Sequence, residues 1–213
     1  LHRRVGHSGD DTMSAARRAA MALAVVIAAM LSACGGDSDA GFAGYSRSPA
    51  PQVGDVALSR ADGSGEVAFR AVDGGLLLVY FGYTNCPDFC PTTLADLKVA
   101  LNRLGDAAAD VDVAMVTVDP DRDLPILDDY IQSFFADGIA LGSADPTVLT
   151  AATEPFGVSY LVTNNDAGGT DVAHSTQLYA VDDTGALVLT WPFGIETQEL
   201  ADDIGDLLAG LRP

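Results

Sequence analysis

The chain has 213 residues, 48% of them hydrophobic, and its 30 Asp and Glu outnumber 11 Lys and Arg to give a formal net charge of −19. This balance excludes a nucleic-acid binder, which needs basic patches. It leaves cations or a basic partner open, while most of the carboxylates serve as a solubilising surface. There is no internal repeat, and residues 53–213 suffice for one domain with a sizeable core.

The leader comes first. Arg17 and Arg18 precede an apolar run at 21–31 that is too short to span a bilayer comfortably and has the length of a signal-peptide core. It closes with "LSAC", Leu31 to Cys34, followed by Gly35 and Gly36. This resembles a bacterial lipobox. The resemblance implies that residues 1–33 are a signal peptide and that Cys34 carries lipid as the mature N-terminus. It also implies that the protein is anchored to the bacterial cell membrane on its extracytoplasmic side. The alternative is an ordinary secretory signal with an incidental cysteine. Since "MSAARRAAMALAVVIAAMLSAC" is a complete signal of this kind, Met13 is a candidate start, with residues 1–12 upstream of it. Residues 34–52, rich in Gly, Ser, Pro and Asp, are expected to form a flexible tether.

"VALS" and "EVAFRAV", on either side of "RADGSG", predict a short hairpin. "LLLVYFGY" at 76–83 is an unbroken apolar run, as expected of a central strand covered on both faces. "PTTLADLKVALNRLG" sets Leu94, Leu97, Leu101 and Leu104 on one helical face, with Pro91 in the first turn and Gly105 at the end. "VDVAMVTVD" at 111–119 is a second buried strand. "LPILDDYIQSFFADG" predicts a helix with a stripe of Ile126, Tyr130, Ile131, Phe134 and Phe135. A short strand "IALGS" and a short helix "DPTVLTAATEPFG" come next. "VSYLVT", "STQLYAVDD" and "ALVLTW" are strands, the last two joined by the turn "DDTG". The last helix, "TQELADDIGDLLAGL", lines up Leu200, Ile204, Leu207, Leu208 and Leu211. Parallel crossovers followed by antiparallel strands and a final helix predict an α/β thioredoxin-like fold. It has a central mixed sheet flanked by helices, with an N-terminal β-hairpin.

The chemistry concentrates in "YFGYTNCPDFCPTTL", 80–94. With Cys34 lipidated, Cys86 and Cys90 are the remaining pair of the three cysteines. They fall between a strand and a helix start, where unpaired N–H groups and the helix dipole favour a thiolate. Pro87 and Pro91 restrict the loop. A thioredoxin-type site has two intervening residues. This one has three, "PDF", which leaves room for an ion between the sulfurs and still permits a Cys86–Cys90 disulfide. Histidine is the natural third ligand. His2 and His7 lie in the leader, so His174 is the candidate, at the entry to a strand. Two thiolates and an imidazole are soft donors that suit copper or zinc. Structural zinc wants four closed ligands, so three with an open side favour copper, as Cu(I) or, with a further ligand, Cu(II).

Five segments resemble the Sco/SenC family of copper-binding, thioredoxin-like proteins: "FGYTNCPDFCPTTL", "VTVDPDRD", "FGVSYLV", "HSTQLYAVDDTG" and "WPFGIETQELADDI". The resemblance implies copper held by Cys86, Cys90 and His174. It implies assembly of the binuclear copper centre of cytochrome c oxidase, so the partners would be the copper-bearing oxidase subunit, an external thiol reductant and a further copper chaperone. Asn85 and Ala173 depart from the family, which commonly has His and Asp there. The Ala173 departure leaves open what orients His174. Asp119 is a candidate for the outer shell of the site, or a turn residue before Pro120. The main alternative to a copper chaperone is a thiol–disulfide oxidoreductase, with Cys86 attacking and Cys90 resolving. A peroxiredoxin fits less well, because Tyr83 and Pro87 stand where its Thr or Ser belongs. A merely structural disulfide is poorly matched to a helix N-terminus.

Overall fold

The computed structural model describes residues 41–165 and 169–213. The expected signal segment 1–33, Cys34 and the first part of the tether lie outside them. The predicted hairpin is present as β1 (Ala57–Ser59) and β2 (Glu66–Ala68), with Leu58 opposite Val67. β3 (Leu76–Gly82) is buried along its whole length. α1 (Phe89–Leu104) begins two residues before Pro91, which places Cys90 inside the first turn. β4 (Val111–Thr117) follows, parallel to β3 with Leu78 opposite Val113.

Of the helix expected over "LPILDDYIQSFFADG" only α3 (Leu127–Gln132) forms, and a separate short helix, α2 (Pro120–Asp123), precedes it. Ile126 stands outside the helical conformation and is exposed. At the other end the Ser133 hydroxyl donates to the Tyr130 carbonyl at 2.6 Å. Such a local bond competes with the helical ladder, and it leaves Phe134 and Phe135 beyond the helix, half-buried against the core. β5 (Ile139–Leu141) and α4 (Pro146–Thr153) come next, the latter capped by the Asp145 carboxylate on the Thr147 N–H at 2.8 Å.

β6 (Tyr160–Asn164) and β7 (Thr170–His174) form a separate antiparallel hairpin with Tyr160 opposite His174. The sequence predicts β6 but not β7. His174 therefore ends a strand of its own, four residues before β8 (Leu178–Asp182) begins. β9 (Leu187–Trp191) and α5 (Thr197–Leu208) complete the chain. α5 stops short of Leu211, which is exposed.

The main sheet runs β5-β4-β3-β8-β9, with β8 antiparallel to β3. This is the thioredoxin-like arrangement of a central mixed sheet flanked by helices. One face is covered by Leu94, Leu97, Leu200, Ile204 and Leu207 of α1 and α5. The other packs Phe69, Phe81, Phe156 and Tyr179 edge to face, with Phe81 and Phe156 centroids 5.0 Å apart. Both sheet edges are blocked, which removes templates for unwanted pairing. The β1–β2 hairpin bonds along β5 through Ala61 N–H to Ala140 C=O, 3.0 Å. Tyr45 pairs with Thr190 of β9 by two bonds of 2.9 Å.

That second contact alters the expected boundary. Residues 42–52, expected to belong to a tether, are laid along the domain. The buried Asp203 carboxylate accepts from the Ala43 and Gly44 N–H groups at 3.1 and 2.9 Å and from the Trp191 indole N–H at 2.7 Å. Gly44 is required there, because a Cβ would meet Leu189 and Trp191 at 2.8 Å. Asp203→Ala orphans these donors, two of which water can partly reach. It is expected to cost about 2–3 kcal/mol and lower Tm by roughly 5–10 °C. Thermal unfolding checks this, and an unchanged Tm would contradict it.

Candidate metal centre

Cys86 lies in the loop after β3 and Cys90 in the first turn of α1. Both are free thiols, 7% and 0% exposed, so any group arriving from solvent meets Cys86 first. The Cys90 N–H donates to Cys86 Sγ at 3.4 Å, so the helix start is turned toward that sulfur. Gly82, at the end of β3, makes the approach possible. A Cβ there would lie 3.0 Å from Cys90 Sγ and 2.8 Å from Tyr80 Cε1.

β7 delivers the third group. His174 Nε2 lies 3.6 Å from Cys90 Sγ. The two sulfurs and one His174 nitrogen lie within 4.8 Å of one another, and among the described residues they are the one such group of three or more Cys, His, Asp or Glu. Nδ1 is 2.7 Å from the Ser175 carbonyl oxygen. A carbonyl only accepts, so Nδ1 carries the proton and Nε2 presents its lone pair to the sulfurs. The orienting partner that Ala173 cannot supply is thus a backbone carbonyl. Ser175 also pins the hairpin base, its N–H donating to the Ser159 carbonyl at 2.9 Å and its hydroxyl oxygen accepting from the Ser159 N–H at 3.0 Å.

The two thiols differ. Burial works against ionising Cys86, but the backbone N–H groups of Cys90 and Asp88 outweigh it and hold the thiol below its usual value. Burial pushes Cys90 up to about 12. Burial also lowers His174, against the Ser175 hydrogen bond, which favours the neutral imidazole that a metal requires. Tyr83 stands edge-on to His174 at 5.6 Å, and Tyr80 at 6.3 Å. Burial, then the neighbouring Cys86, push the Tyr83 phenol up to about 12.

Asp119, just before α2, is buried, but its carboxylate is turned to Arg122 of that helix, and it does not join the three ligand atoms. The carboxylate that reaches the cysteine loop is Asp123. It is fully buried and accepts from the Thr84 N–H at 3.0 Å, the Thr84 hydroxyl at 2.6 Å and the Thr117 hydroxyl at 2.6 Å. It thereby ties the loop two residues before Cys86 to the end of β4. Nothing local marks Asp123 in the sequence. Its signal is its place as the last Asp of "VTVDPDRD", a segment singled out on other grounds.

A family model described as SCO1/SenC matches residues 47–209. A SCO2-like protein of Rickettsia prowazekii is 32% identical over 132 residues, 61% of this chain and 64% of that relative, so the match spans just under two thirds of the relative's length. Apo Sco1 of Thermus thermophilus is 33% identical with a TM-score of 0.66, covering 80% of this chain and 98% of that one. Arabidopsis thaliana ScoI, crystallised with copper bound, is 25% identical with a TM-score of 0.66, covering 75% of this chain and 99% of that one.

Proposed function

The chain belongs to the SCO1/SenC family, and from that premise we propose that it is a copper chaperone held outside the cytoplasm by lipid on Cys34. It takes copper on Cys86, Cys90 and His174 and hands it to the binuclear copper site of cytochrome c oxidase. The observation that carries this reading is the convergence of two sulfurs and one unprotonated imidazole nitrogen within 4.8 Å. Soft thiolates with an imidazole suit Cu(I). Three protein ligands leave one side open for ligand exchange with the acceptor, whereas structural zinc closes four. Copper is cargo in this scheme.

The unequal thiols favour a second reading, thiol–disulfide exchange with the same oxidase subunit. The Cys86 thiolate attacks the partner disulfide and forms a mixed disulfide. Cys90 then attacks Cys86 Sγ and releases the partner as a dithiol. Cys86 and Cys90 are left oxidised, to be reduced by an external thiol. One experiment separates the two readings. Copper-loaded protein is mixed with the reduced copper-bearing domain of the oxidase, and copper-free reduced protein with the oxidised domain. The chaperone reading predicts stoichiometric copper on the acceptor in the first mixture. Copper that stays put, with acceptor thiols appearing in the second, replaces it with the reductase reading.

A further inference from the structure

Three buried side-chain polar atoms among the described residues have no hydrogen-bond partner: Tyr80 Oη, Tyr130 Oη and Arg122 Nη2. The last is itself ion-paired with the Asp119 carboxylate, so it is not an orphan. The other two are phenols beside the cysteine pair. A buried hydroxyl without a partner is a cost that native proteins rarely carry without reason.

Tyr80 is the better placed of the two. It is 0% exposed, on the face of β3 that meets α1. Its ring edge and Cys90 Sγ border the same space over Gly82. Its hydroxyl makes no well-aligned hydrogen bond while Cys90 is a thiol, although the Cys90 sulfur and the Thr93 hydroxyl both lie close enough to interact with it. The Thr93 hydroxyl nearby gives its own proton to the Phe89 carbonyl at 2.9 Å, so toward Tyr80 it can only accept. Tyr130, on α3, feels the cysteines only through their charge.

The demand for a donor follows from charge. A copper(I) ion with two thiolates and a neutral imidazole carries one surplus negative charge in a buried site. Cys86 has the Cys90 backbone N–H for its share. Cys90, deeper and with His174 at its side, has the Tyr83 backbone N–H, and Tyr80 is the side-chain donor placed to add to it. We propose that Tyr80 is a positioning residue for the metal: its hydroxyl, idle against the thiol, donates to the Cys90 thiolate once copper replaces the proton. This rests on Cys90 being a copper ligand. The hydrogen bond stabilises the sulfur lone pairs, so it strengthens Cu(I) retention and raises the energy of the sulfur-to-Cu(II) charge-transfer transition.

The test compares the parent protein with Tyr80→Phe and Tyr130→Phe. Each is titrated with Cu(I) against a chromophoric chelator, examined for its Cu(II)–thiolate absorption, and melted without metal. For Tyr80→Phe the expected result has three parts. Cu(I) affinity falls about tenfold or more, as for a lost hydrogen bond to a charged group. The charge-transfer band moves to longer wavelength. The metal-free Tm is unchanged or higher, because the hydroxyl makes no well-aligned hydrogen bond there. For Tyr130→Phe neither affinity nor band moves. An unmoved band and affinity in Tyr80→Phe, or equal changes in both variants, overturns the proposal. A parent that binds no copper defeats the underlying ligand assignment instead.

Discussion

Asp123→Ala is expected to lose about 3–5 kcal/mol of stability, a large part of the margin of an ordinary domain. The carboxylate is 0% exposed and accepts three hydrogen bonds from Thr84 and Thr117. Removing it leaves a backbone N–H and two hydroxyls with no acceptor, and Thr117 is itself fully buried. Each orphaned donor costs about 1–3 kcal/mol, more where its partner was charged. Asp123→Asn keeps one oxygen but turns an NH2 group toward the same donors, so it recovers only part of the loss. The damage should also reach the site, because Thr84 stands two residues before Cys86 and is held by this carboxylate. Chemical denaturation measures the first effect. Cu(I) competition at low denaturant, where the variant is folded, measures the second. A variant within about 1 kcal/mol of the parent would show that Asp123 does not hold the loop.

His174→Ala is expected to have the larger effect on copper. Losing an outer hydrogen-bond partner of a metal ligand costs roughly 10–100-fold in affinity. Losing the ligand itself should exceed that. The fold should tolerate the change, since His174 is half-buried at the end of a two-stranded hairpin whose base is held by Ser159 and Ser175. Dithiol exchange should persist, because it uses only Cys86 and Cys90. Thiol titration and reduction of a model disulfide would check that part. If the variant lost copper and thiol exchange together, His174 would be acting on the cysteines and not only as a third ligand.

Much of this was legible in the sequence for physical reasons. A strand buried on both faces must be apolar throughout, so 76–83 declared itself. Two cysteines four residues apart at a strand–helix junction needed no long-range information. His174 followed by elimination and by resemblance. What the sequence concealed were contacts across distance or against weak local signals. β7 reads "TDVAH", five residues of alternating exposure with nothing to mark a strand end, so the sequence puts His174 at the entry to β8 whereas it closes a hairpin. The Ser175 carbonyl that orients it is backbone and has no residue code. Asp123 meets Thr84 across 39 positions, and Asp203 meets Ala43 across 160. Asp203 also explains why a Gly- and Ser-rich segment that reads as tether is held on the domain. Helical periodicity at 124–135 was real, but a serine hydroxyl and an Ile126 outside the helical conformation confined the helix to α3.

The central claim is that two thiolates and one imidazole hold a single copper. The measurement that tests it most directly counts copper bound to the fully reduced protein and to His174→Ala. Cu(I) and Cu(II) are added separately, each in competition with a chelator. One equivalent retained by the parent and lost by the variant is the predicted result. Equal retention by both proteins, or by neither, would contradict it. Cys86 and Cys90 would then be a dithiol that exchanges electrons and not metal.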